Sequence, residues 1–306
     1  MNQQSGQSKF NPITRPTAVL GAGTLGSRIA LMLASSGGEV RLYDAKATQL
    51  DVAERFIDSE LPKLVKSRAG GVAGRVVFAK TLEPAIADTW MVVEAVPERL
   101  DLKKAIFGDL DRLAPQDAIL ASNSSSYPSS QIIERVTKPS RVVNTHYLMP
   151  PELNAVEVMS CGKTSDAVIA DLMERLPLYG LVPFHVEKES VGFIFNRIWA
   201  AIKRESLEVV EEGVSRPAEV DHIFQIALGA HAGPFRLMDR VGLDVVLDIE
   251  EHYAAIHPEL PSGPRELLKQ YISEGRLGIK AGKGFYTDYG QKAPSVASEV
   301  RRSSTT

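Results

Sequence analysis

The stretch that most constrains this chain lies near its start, where three glycines directly follow a short apolar run. The run at residues 18–20, Ala-Val-Leu, predicts a buried strand, and Gly21, Gly23 and Gly26 then occur with the spacing G-x-G-x-x-G. Gly21 permits a tight turn, Gly23 lets a pyrophosphate approach the backbone, and Gly26 lets the following helix pack closely on the strand. The stretch therefore predicts a strand, turn and helix that bind phosphate.

Two further features indicate which phosphate ligand is bound. The N-terminus of the predicted helix, at Thr24 and Leu25, offers free N–H groups and a positive dipole end to phosphates. A second apolar run at residues 40–43 ends in Asp44, close to the spacing of about 20 residues expected for a ribose-binding carboxylate. Because such a carboxylate accepts hydrogen bonds from ribose hydroxyls and repels a 2′-phosphate, the sequence predicts NAD rather than NADP. The alternative is an ordinary strand, turn and helix with a solvated Asp44.

Length, charge and cysteine content exclude several classes of protein. The 306 residues favour two domains over one, and the net charge of −3 gives no basic surface for nucleic acid. No apolar run approaches the roughly 18 residues that would span a bilayer, so no membrane partner is expected. Cys161 is the one cysteine, which fits a reducing compartment, and we expect a cytoplasmic protein. The polar ends, residues 1–15 and 291–306, are expected to be disordered.

Short apolar runs alternate with amphipathic helical patterns as far as residue 186. This alternation predicts an α/β domain with a Rossmann-type, doubly wound, mostly parallel sheet over residues 16–187. Beyond it helical periodicity dominates, and residues 188–290 are predicted to form an all-α domain for substrate binding and dimerisation. Residues 46–67 are predicted to form a helix, which Pro62 is expected to kink or to end early. In the helix at 101–113, the residues expected to face the core are Leu102, Ile106, Leu110 and Leu113.

Several polar residues fall at the ends of predicted strands, where open α/β sheets bind their ligands. They are Asp44, Glu94, Asn123, Ser125 and His146. His146 directly follows a predicted strand at 142–145, and Glu157 lies between apolar neighbours in another strand. A return through a proline loop could set Glu157 beside His146, where a carboxylate would fix the imidazole tautomer and stabilise the imidazolium. Spacing leaves open a second interpretation, a half-exposed histidine and an edge-strand glutamate.

Motifs that occur in order along nearly the whole chain give it a family resemblance. They are VLGAGTLG at 19–26, VVEAVPE at 92–98, LKKAIF at 102–107, ASNSSS at 121–126, VGFIFNR at 191–197, GPFRLMD at 233–239 and LGIKAGKGFY at 277–286. With these motifs the sequence resembles the L-3-hydroxyacyl-CoA dehydrogenases and, more broadly, the relatives that include L-gulonate 3-dehydrogenase.

The resemblance implies a role for each matching residue. His146 matches the catalytic base that removes the hydroxyl proton, and Glu157 matches its orienting partner. Ser125 and Asn196 match the residues that hydrogen-bond the substrate oxygen. The resemblance also implies a small-molecule substrate, a homodimer and a part in fatty acid metabolism, and no metal site is predicted. Beyond the glycine loop and Asp44, the predicted cofactor contacts are Glu98, Lys103 and Lys280, with Asn123 added from its place at a strand end.

Departures from the family's pattern make the substrate less certain than the chemistry. Met149 stands where the family usually has an asparagine that contacts the cofactor. The interval from His146 to Glu157 is one residue shorter than in the typical acyl-CoA enzyme. The segment at 46–76 is also shorter than the helical hairpin that helps bind CoA in those members.

We therefore predict an NAD-dependent oxidoreductase that interconverts a 3-hydroxyacyl thioester and its 3-oxo form, with His146 as general base or acid. The alternative within enzymes is a 3-dehydrogenase of a free hydroxy acid, of the L-gulonate or carnitine type. Such a substrate needs a fixed cation in its pocket, and the sequence does not place Arg197, Arg236 or Arg240 there. The alternative from another class is an NAD-binding structural protein without turnover, and the complete set of predicted catalytic residues argues against it.

Overall fold

The computed structural model describes residues 15–289, which divide into two compact units between Ile194 and Phe195. The ends predicted to be disordered lie outside the described residues apart from Arg15. The Arg15 guanidinium donates hydrogen bonds to Asp117 Oδ2 at 2.6 Å and to the Thr89 carbonyl at 2.6 Å. Over the same 15–289 range, no helix is both long enough and apolar enough to cross a bilayer. The domain boundary near residue 188 stays a prediction.

The first unit is built on one eight-stranded sheet. Its strands are β1 Thr17–Leu20, β2 Glu39–Tyr43, β3 Arg75–Ala79, β4 Met91–Glu94, β5 Ile119–Ser122, β6 Val142–Met149, β7 Leu153–Ser160 and β8 Val182–Val186. They lie in the order β3-β2-β1-β4-β5-β6-β7-β8. The first six are parallel, β7 is antiparallel to β6, and β8 is parallel to β7. The predicted doubly wound, mostly parallel sheet is confirmed.

Both faces of this sheet are covered by apolar side chains. Successive residues of a strand point to opposite faces, so Val19 packs in one core cluster while Ala18 and Leu20 pack in another. Burial on both faces explains why β1, β4 and β5 have few polar residues, whereas β2 alternates between buried and half-buried positions. The helices of this unit are α1 Thr24–Ala34, α2 Ala47–Ser67, α3 Leu82–Ile86, α4 Leu100–Leu113, α5 Ser129–Ile132 and α6 Asp166–Arg175.

The predicted core face of α4 is wrong in part. Leu110 is buried as expected, but Leu113 is 42% exposed. Lys103 and Asp111 are buried instead, because each pairs with a buried charge, Glu94 in the first case and Arg141 in the second. Because these charged side chains are paired, the buried face of α4 includes them and differs from the purely apolar face that the sequence predicts.

Two other local expectations need correction. Helix α2 runs from Ala47 to Ser67, close to the predicted 46–67, and it does not end early at Pro62. His146 was expected in a loop after a strand, whereas β6 extends to Met149 and includes it. The longer strand arises because β6 pairs with β7 beyond the point where its pairing with β5 stops, so the backbone stays hydrogen-bonded as far as the hairpin.

The second unit is helical, as its periodicity predicts. Its helices are α7 Phe195–Glu211, α8 Pro217–Leu228, α9 Pro234–Val241, α10 Leu243–Ile256 and α11 Gly263–Ser273. Helix α9 was missed because it spans only eight residues. Two buried carboxylates organise this unit. Asp221 accepts hydrogen bonds from the N–H groups of Phe235 and Arg236 at the start of α9, and Asp239 accepts them from Phe285 and Tyr286.

Candidate active site

The loop between β1 and α1 has the geometry that its glycine spacing predicts. Gly21 has a φ of +102°, and a Cβ there would lie 2.4 Å from the Ala95 carbonyl oxygen. A Cβ on Gly26 would lie 1.8 Å from the Gly21 carbonyl oxygen, so the helix packs directly on the turn. A Cβ on Gly23 would meet no atom within 4 Å, and Gly23 is exposed. A side chain would clash with the backbone at Gly21 and Gly26, whereas the space beside Gly23 is free of protein atoms. This free space fits a pyrophosphate at Gly23.

The loop lies where ligands bind in this fold. The strand order reverses between β1 and β4, and open α/β sheets bind ligands at such a switch point. The first intrahelical hydrogen bond of α1 runs from Ser27 N to Gly23 O at 2.9 Å. The N–H groups of Thr24, Leu25 and Gly26 precede that bond, so they have no partner within the helix and can face an anion.

Asp44 directly follows β2 and contacts this loop. Its Oδ2 accepts a hydrogen bond from Ala22 N at 2.8 Å, and its Oδ1 accepts one from Lys46 N at 2.8 Å. Each carboxylate oxygen retains a second lone pair, which a ribose hydroxyl could use. The glycine loop, the helix N-terminus and Asp44 together fit the diphosphate and ribose of NAD.

Two buried charged side chains, Glu94 and Lys103, form a network with the partly exposed Glu98 beyond β4. Lys103 is 1% exposed, and its Nζ lies 2.7 Å from Glu94 Oε1 and 3.1 Å from Glu98 Oε2. Glu98 Oε1 also accepts hydrogen bonds from Ser124 Oγ at 2.5 Å and Ser126 N at 3.0 Å. The network therefore joins the segment after β4 to the loop after β5. Contact of Lys103 and Glu98 with the cofactor stays a prediction.

The electrostatics of Glu98 follow from this network. Burial raises the pKa of its carboxyl group. The Lys103 charge and the hydrogen bonds from Ser124 and Ser126 outweigh burial, so the pKa lies below its ordinary value. Glu98 is therefore ionised at neutral pH.

Asn123 and Ser125 lie in the loop that follows β5. Asn123 Oδ1 accepts a hydrogen bond from Tyr147 N at 3.0 Å, which fixes the loop to β6. Ser125 is exposed, and it makes no hydrogen bond to any other residue between 15 and 289. Its hydroxyl is therefore available to a ligand, and its role toward the substrate oxygen stays a prediction.

His146 and Glu157 face each other at paired positions of the β6–β7 hairpin. His146 Nδ1 lies 2.7 Å from Glu157 Oε2, and the two side chains are 8% and 3% exposed. Glu157 Oε1 accepts a hydrogen bond from Ile194 N at 2.8 Å. A carboxylate at Nδ1 favours the tautomer with its proton there, which leaves the Nε2 lone pair to accept another proton. The pair is buried, and β7 is an inner strand, so the alternative of a half-exposed histidine and an edge-strand glutamate is wrong.

Phe193 is a neighbour of His146 that sequence reasoning missed. The two rings stack with their centroids 4.7 Å apart and their planes 19° apart. Phe193 is 3% exposed and has a φ of +54°, a left-handed conformation that is an outlier for a bulky residue. The ring covers one face of the imidazole and restricts its orientation. The motif at 191–197 contains Phe193, but no sequence pattern predicts its backbone conformation.

The remaining predicted site residues belong to the second unit. Asn196 is the second residue of α7 and is half-buried. Lys280 Nζ lies 2.5 Å from both carboxylate oxygens of Asp244. A cation held by one carboxylate can still donate a hydrogen bond to a ligand, because an ammonium has three donors. The roles of Asn196 and Lys280 stay predictions.

Comparison with known proteins extends this description to nearly the whole chain. The family model described as "3-hydroxyacyl-CoA dehydrogenase, NAD binding domain" matches residues 16–190. The model described as "3-hydroxyacyl-CoA dehydrogenase, C-terminal domain" matches residues 192–288. The two matches follow one another in the order that the sequence motifs predict.

Individual relatives agree with the family models. A probable 3-hydroxybutyryl-CoA dehydrogenase of Bacillus subtilis is 34% identical over 285 residues, which cover 90% of this chain and 97% of the relative. A 5-formyl-3-hydroxy-2-methylpyridine 4-carboxylate 5-dehydrogenase of Mesorhizobium japonicum is 29% identical, with 94% and 95% covered. The crystal structure of (S)-3-hydroxybutyryl-CoA dehydrogenase from Ralstonia eutropha superposes with a TM-score of 0.79 at 28% identity, covering 89% of this chain and 98% of that one. The chain therefore belongs to the 3-hydroxyacyl-CoA dehydrogenase family and is an NAD-dependent oxidoreductase of that type.

Proposed function

We propose that this enzyme interconverts a 3-hydroxyacyl-CoA and the corresponding 3-oxoacyl-CoA. The observation that carries the proposal is the buried His146–Glu157 pair, with 2.7 Å between Nδ1 and Oε2. It lies in a unit whose glycine loop and Asp44 fit NAD. The curated relatives named as 3-hydroxybutyryl-CoA and 3-hydroxyacyl-CoA dehydrogenases support the choice of substrate class.

In the oxidation, His146 acts as a general base on the 3-hydroxyl group. Its Nε2 accepts the hydroxyl proton while Glu157 stabilises the positive charge that develops on the imidazole. Ser125, whose exposed hydroxyl lies in the loop after β5, hydrogen-bonds the same substrate oxygen. Asn196 matches the residue that gives a second hydrogen bond to this oxygen in the family. The nicotinamide of bound NAD supplies the hydride acceptor. In the reverse direction His146 returns its proton to the oxygen as a general acid.

The test is NADH formation by the full-length protein with (S)-3-hydroxybutyryl-CoA and NAD, and NADH consumption with acetoacetyl-CoA. We expect turnover in both directions. Absence of turnover with these compounds and with L-gulonate and carnitine would favour the NAD-binding structural protein instead.

A second candidate is the dehydrogenation of a free hydroxy acid. The relative from Mesorhizobium japonicum supports the free carboxylate of this candidate, because its name describes a substrate with a carboxylate on its ring and a formyl group at the reacting position. In this reaction His146 and Glu157 keep their roles. The substrate would then need a fixed positive charge in place of the contacts that hold CoA.

The proposal extends to the assembly and its setting. We propose a homodimer formed through the helical unit, because α8 exposes Ile223, Ile226 and Leu228 by 67%, 71% and 67%. Closed twofold dimers are also the commonest soluble oligomers. The single, buried, free thiol of Cys161 fits a reducing compartment, so we propose the cytoplasm and a part in fatty acid metabolism.

A further inference from the structure

The second unit contains a lysine whose positive charge is buried without a partner. Lys203 lies on α7 and is 2% exposed. Among residues 15–289, no hydrogen bond and no ion pair within 4.0 Å joins its Nζ to another side chain. Burying an ammonium without a paired charge is costly, and burial accordingly lowers the pKa of Lys203.

The neighbouring charges do not compensate for it. Glu250 on α10 attracts Lys203 and is itself 2% exposed. However, its Oε2 already accepts a hydrogen bond from Arg204 Nε at 2.9 Å. Two cations and one carboxylate thus share this buried region, and one positive charge is left over. Arg204 Nη2 and Glu250 Oε1 are both buried without a hydrogen-bond partner among residues 15–289, so what this region has in excess is positive charge rather than donors alone.

The position of Lys203 on its helix points to a ligand. Asn196 and Lys203 are seven residues apart on α7, so they lie on the same face, about 10 Å apart along the axis. Helical side chains lean toward the N-terminus, which brings the ammonium closer to Asn196. If Asn196 holds the substrate's reacting oxygen, a group a few bonds further along the substrate would meet Lys203.

We propose that Lys203 is a specificity-determining residue that binds a carboxylate of the substrate. This inference rests on the proposed dehydrogenase function and narrows its substrate class. Two kinds of molecule carry the required group. One is a free 3-hydroxy acid, and the other is a 3-hydroxyacyl thioester with a carboxylate at the far end of its acyl chain. In either case the substrate anion pairs with the charge that the protein leaves unpaired.

The test compares substrates that differ only in this charge. One pair is L-gulonate and L-gulonamide, and the other is 3-hydroxyadipyl-CoA and its terminal methyl ester. For wild-type enzyme we expect kcat/KM to favour the charged member of at least one pair by about 10- to 100-fold, the effect of one charge-assisted hydrogen bond. The pair that shows the preference identifies the source of the carboxylate.

The K203M variant should lose this preference. We expect the ratio of kcat/KM between charged and neutral members to fall by about 10- to 100-fold, mainly through KM for the charged compound. K203R should lie between K203M and wild type, because it keeps the charge with a different geometry. The matched control is K269M, which removes an exposed lysine of α11 and should leave the ratio as in wild type.

The outcomes separate this proposal from the proposed function. If wild type oxidises (S)-3-hydroxybutyryl-CoA but prefers neither charged compound, the Lys203 proposal is overturned and the function stands. That comparison needs no variant, so it holds even if K203M does not fold. If K203M folds and changes all substrates equally, Lys203 has a structural role only. If wild type forms no NADH from any of these compounds, the proposed function fails.

Discussion

At the scale of single residues, Asp44 combines two tasks that a substitution can separate. Its carboxylate accepts hydrogen bonds from Ala22 N and Lys46 N, and its charge would repel a 2′-phosphate. We expect D44A to weaken NAD binding by roughly tenfold and to narrow the preference for NAD over NADP, because it removes both the acceptor and the repulsion.

Fluorescence titration of both cofactors measures this effect. D44N is the informative companion variant, since it keeps an oxygen acceptor for the loop but removes the charge. D44N should narrow the preference while changing NAD affinity less than D44A does. Equal or tighter binding of NADP by the wild-type protein would contradict the assignment of Asp44 to the ribose.

The His146–Glu157 pair makes a second residue-scale prediction. General base catalysis contributes about 10²- to 10⁴-fold, so H146Q should lower turnover by that amount and leave NAD affinity almost unchanged. E157Q should also lower turnover, because it removes the charge that stabilises the imidazolium. Groups that act as a unit are not additive, so the double variant should be little worse than H146Q alone.

Single-turnover kinetics of hydride transfer give the required rates. The matched control is H257Q, which removes an exposed histidine whose Nδ1 lies 3.2 Å from a Glu259 carboxylate oxygen. Its rate should stay at the wild-type level. Near-wild-type turnover by H146Q with the best substrate would refute the assignment, and Met149 in the altered loop would then mark different chemistry.

At the scale of secondary-structure elements, the packing of α4 depends on the charge of Lys103, which the apolar pattern of the helix does not predict. Lys103 holds Glu94, which is fully buried at the end of β4. K103M leaves that carboxylate without its cation, so we expect it to lower the free energy of unfolding by about 3–5 kcal/mol. Urea denaturation measures the loss. The neighbouring variant K104M breaks a solvent-screened surface pair with Glu134 and should lower the free energy of unfolding far less than K103M does. Equal effects of the two variants would contradict the structural role of Lys103.

The same network predicts a pH dependence. The pKa of Glu98 is lower in the folded protein than its ordinary value of 4.5, so Glu98 contributes stability above that value. The contribution is lost as the pH falls through the lower, folded-state pKa. We therefore expect the urea midpoint of E98Q to decline less than that of the wild type as the pH falls below about 4.5. Parallel curves for the two proteins would show that Glu98 is not stabilised by its partners.

Some features of the secondary-structure elements could be predicted from the sequence, and others could not. Strands β1, β4 and β5 could be predicted because they are buried on both faces and therefore consist mainly of apolar residues. The core face of α4 could not, because Lys103 and Asp111 are buried through partners on distant segments. For the same reason β6 is longer than its apolar run, since its end is fixed by pairing with β7.

The candidate site follows the same division. The glycine loop is local, so its residue spacing was enough to predict its shape. The hairpin that joins His146 to Glu157 could be proposed, because a proline loop of suitable length separates them. The left-handed backbone of Phe193 could not be foreseen, since it depends on packing against Met159 and Val186. The partnerless state of Lys203 likewise depends on which neighbour Glu250 bonds to.

At the scale of the whole molecule, the exposed apolar residues of α8 predict its assembly. Ile223 and Ile226 lie three positions apart on one helix face and are 67% and 71% exposed. A second copy of the chain covering this face would remove them from water. We expect light scattering at micromolar concentration to give the mass of a dimer. The I223E/I226E variant should shift this mass toward that of the monomer. In a dimer its glutamates would be buried without hydration and would repel those of the partner copy. V52E, which places a glutamate at an exposed valine of α2 in the other unit, should stay dimeric. A monomer mass for the wild-type protein would refute the homodimer, and an unchanged mass for I223E/I226E would move the interface to another face of the helical unit.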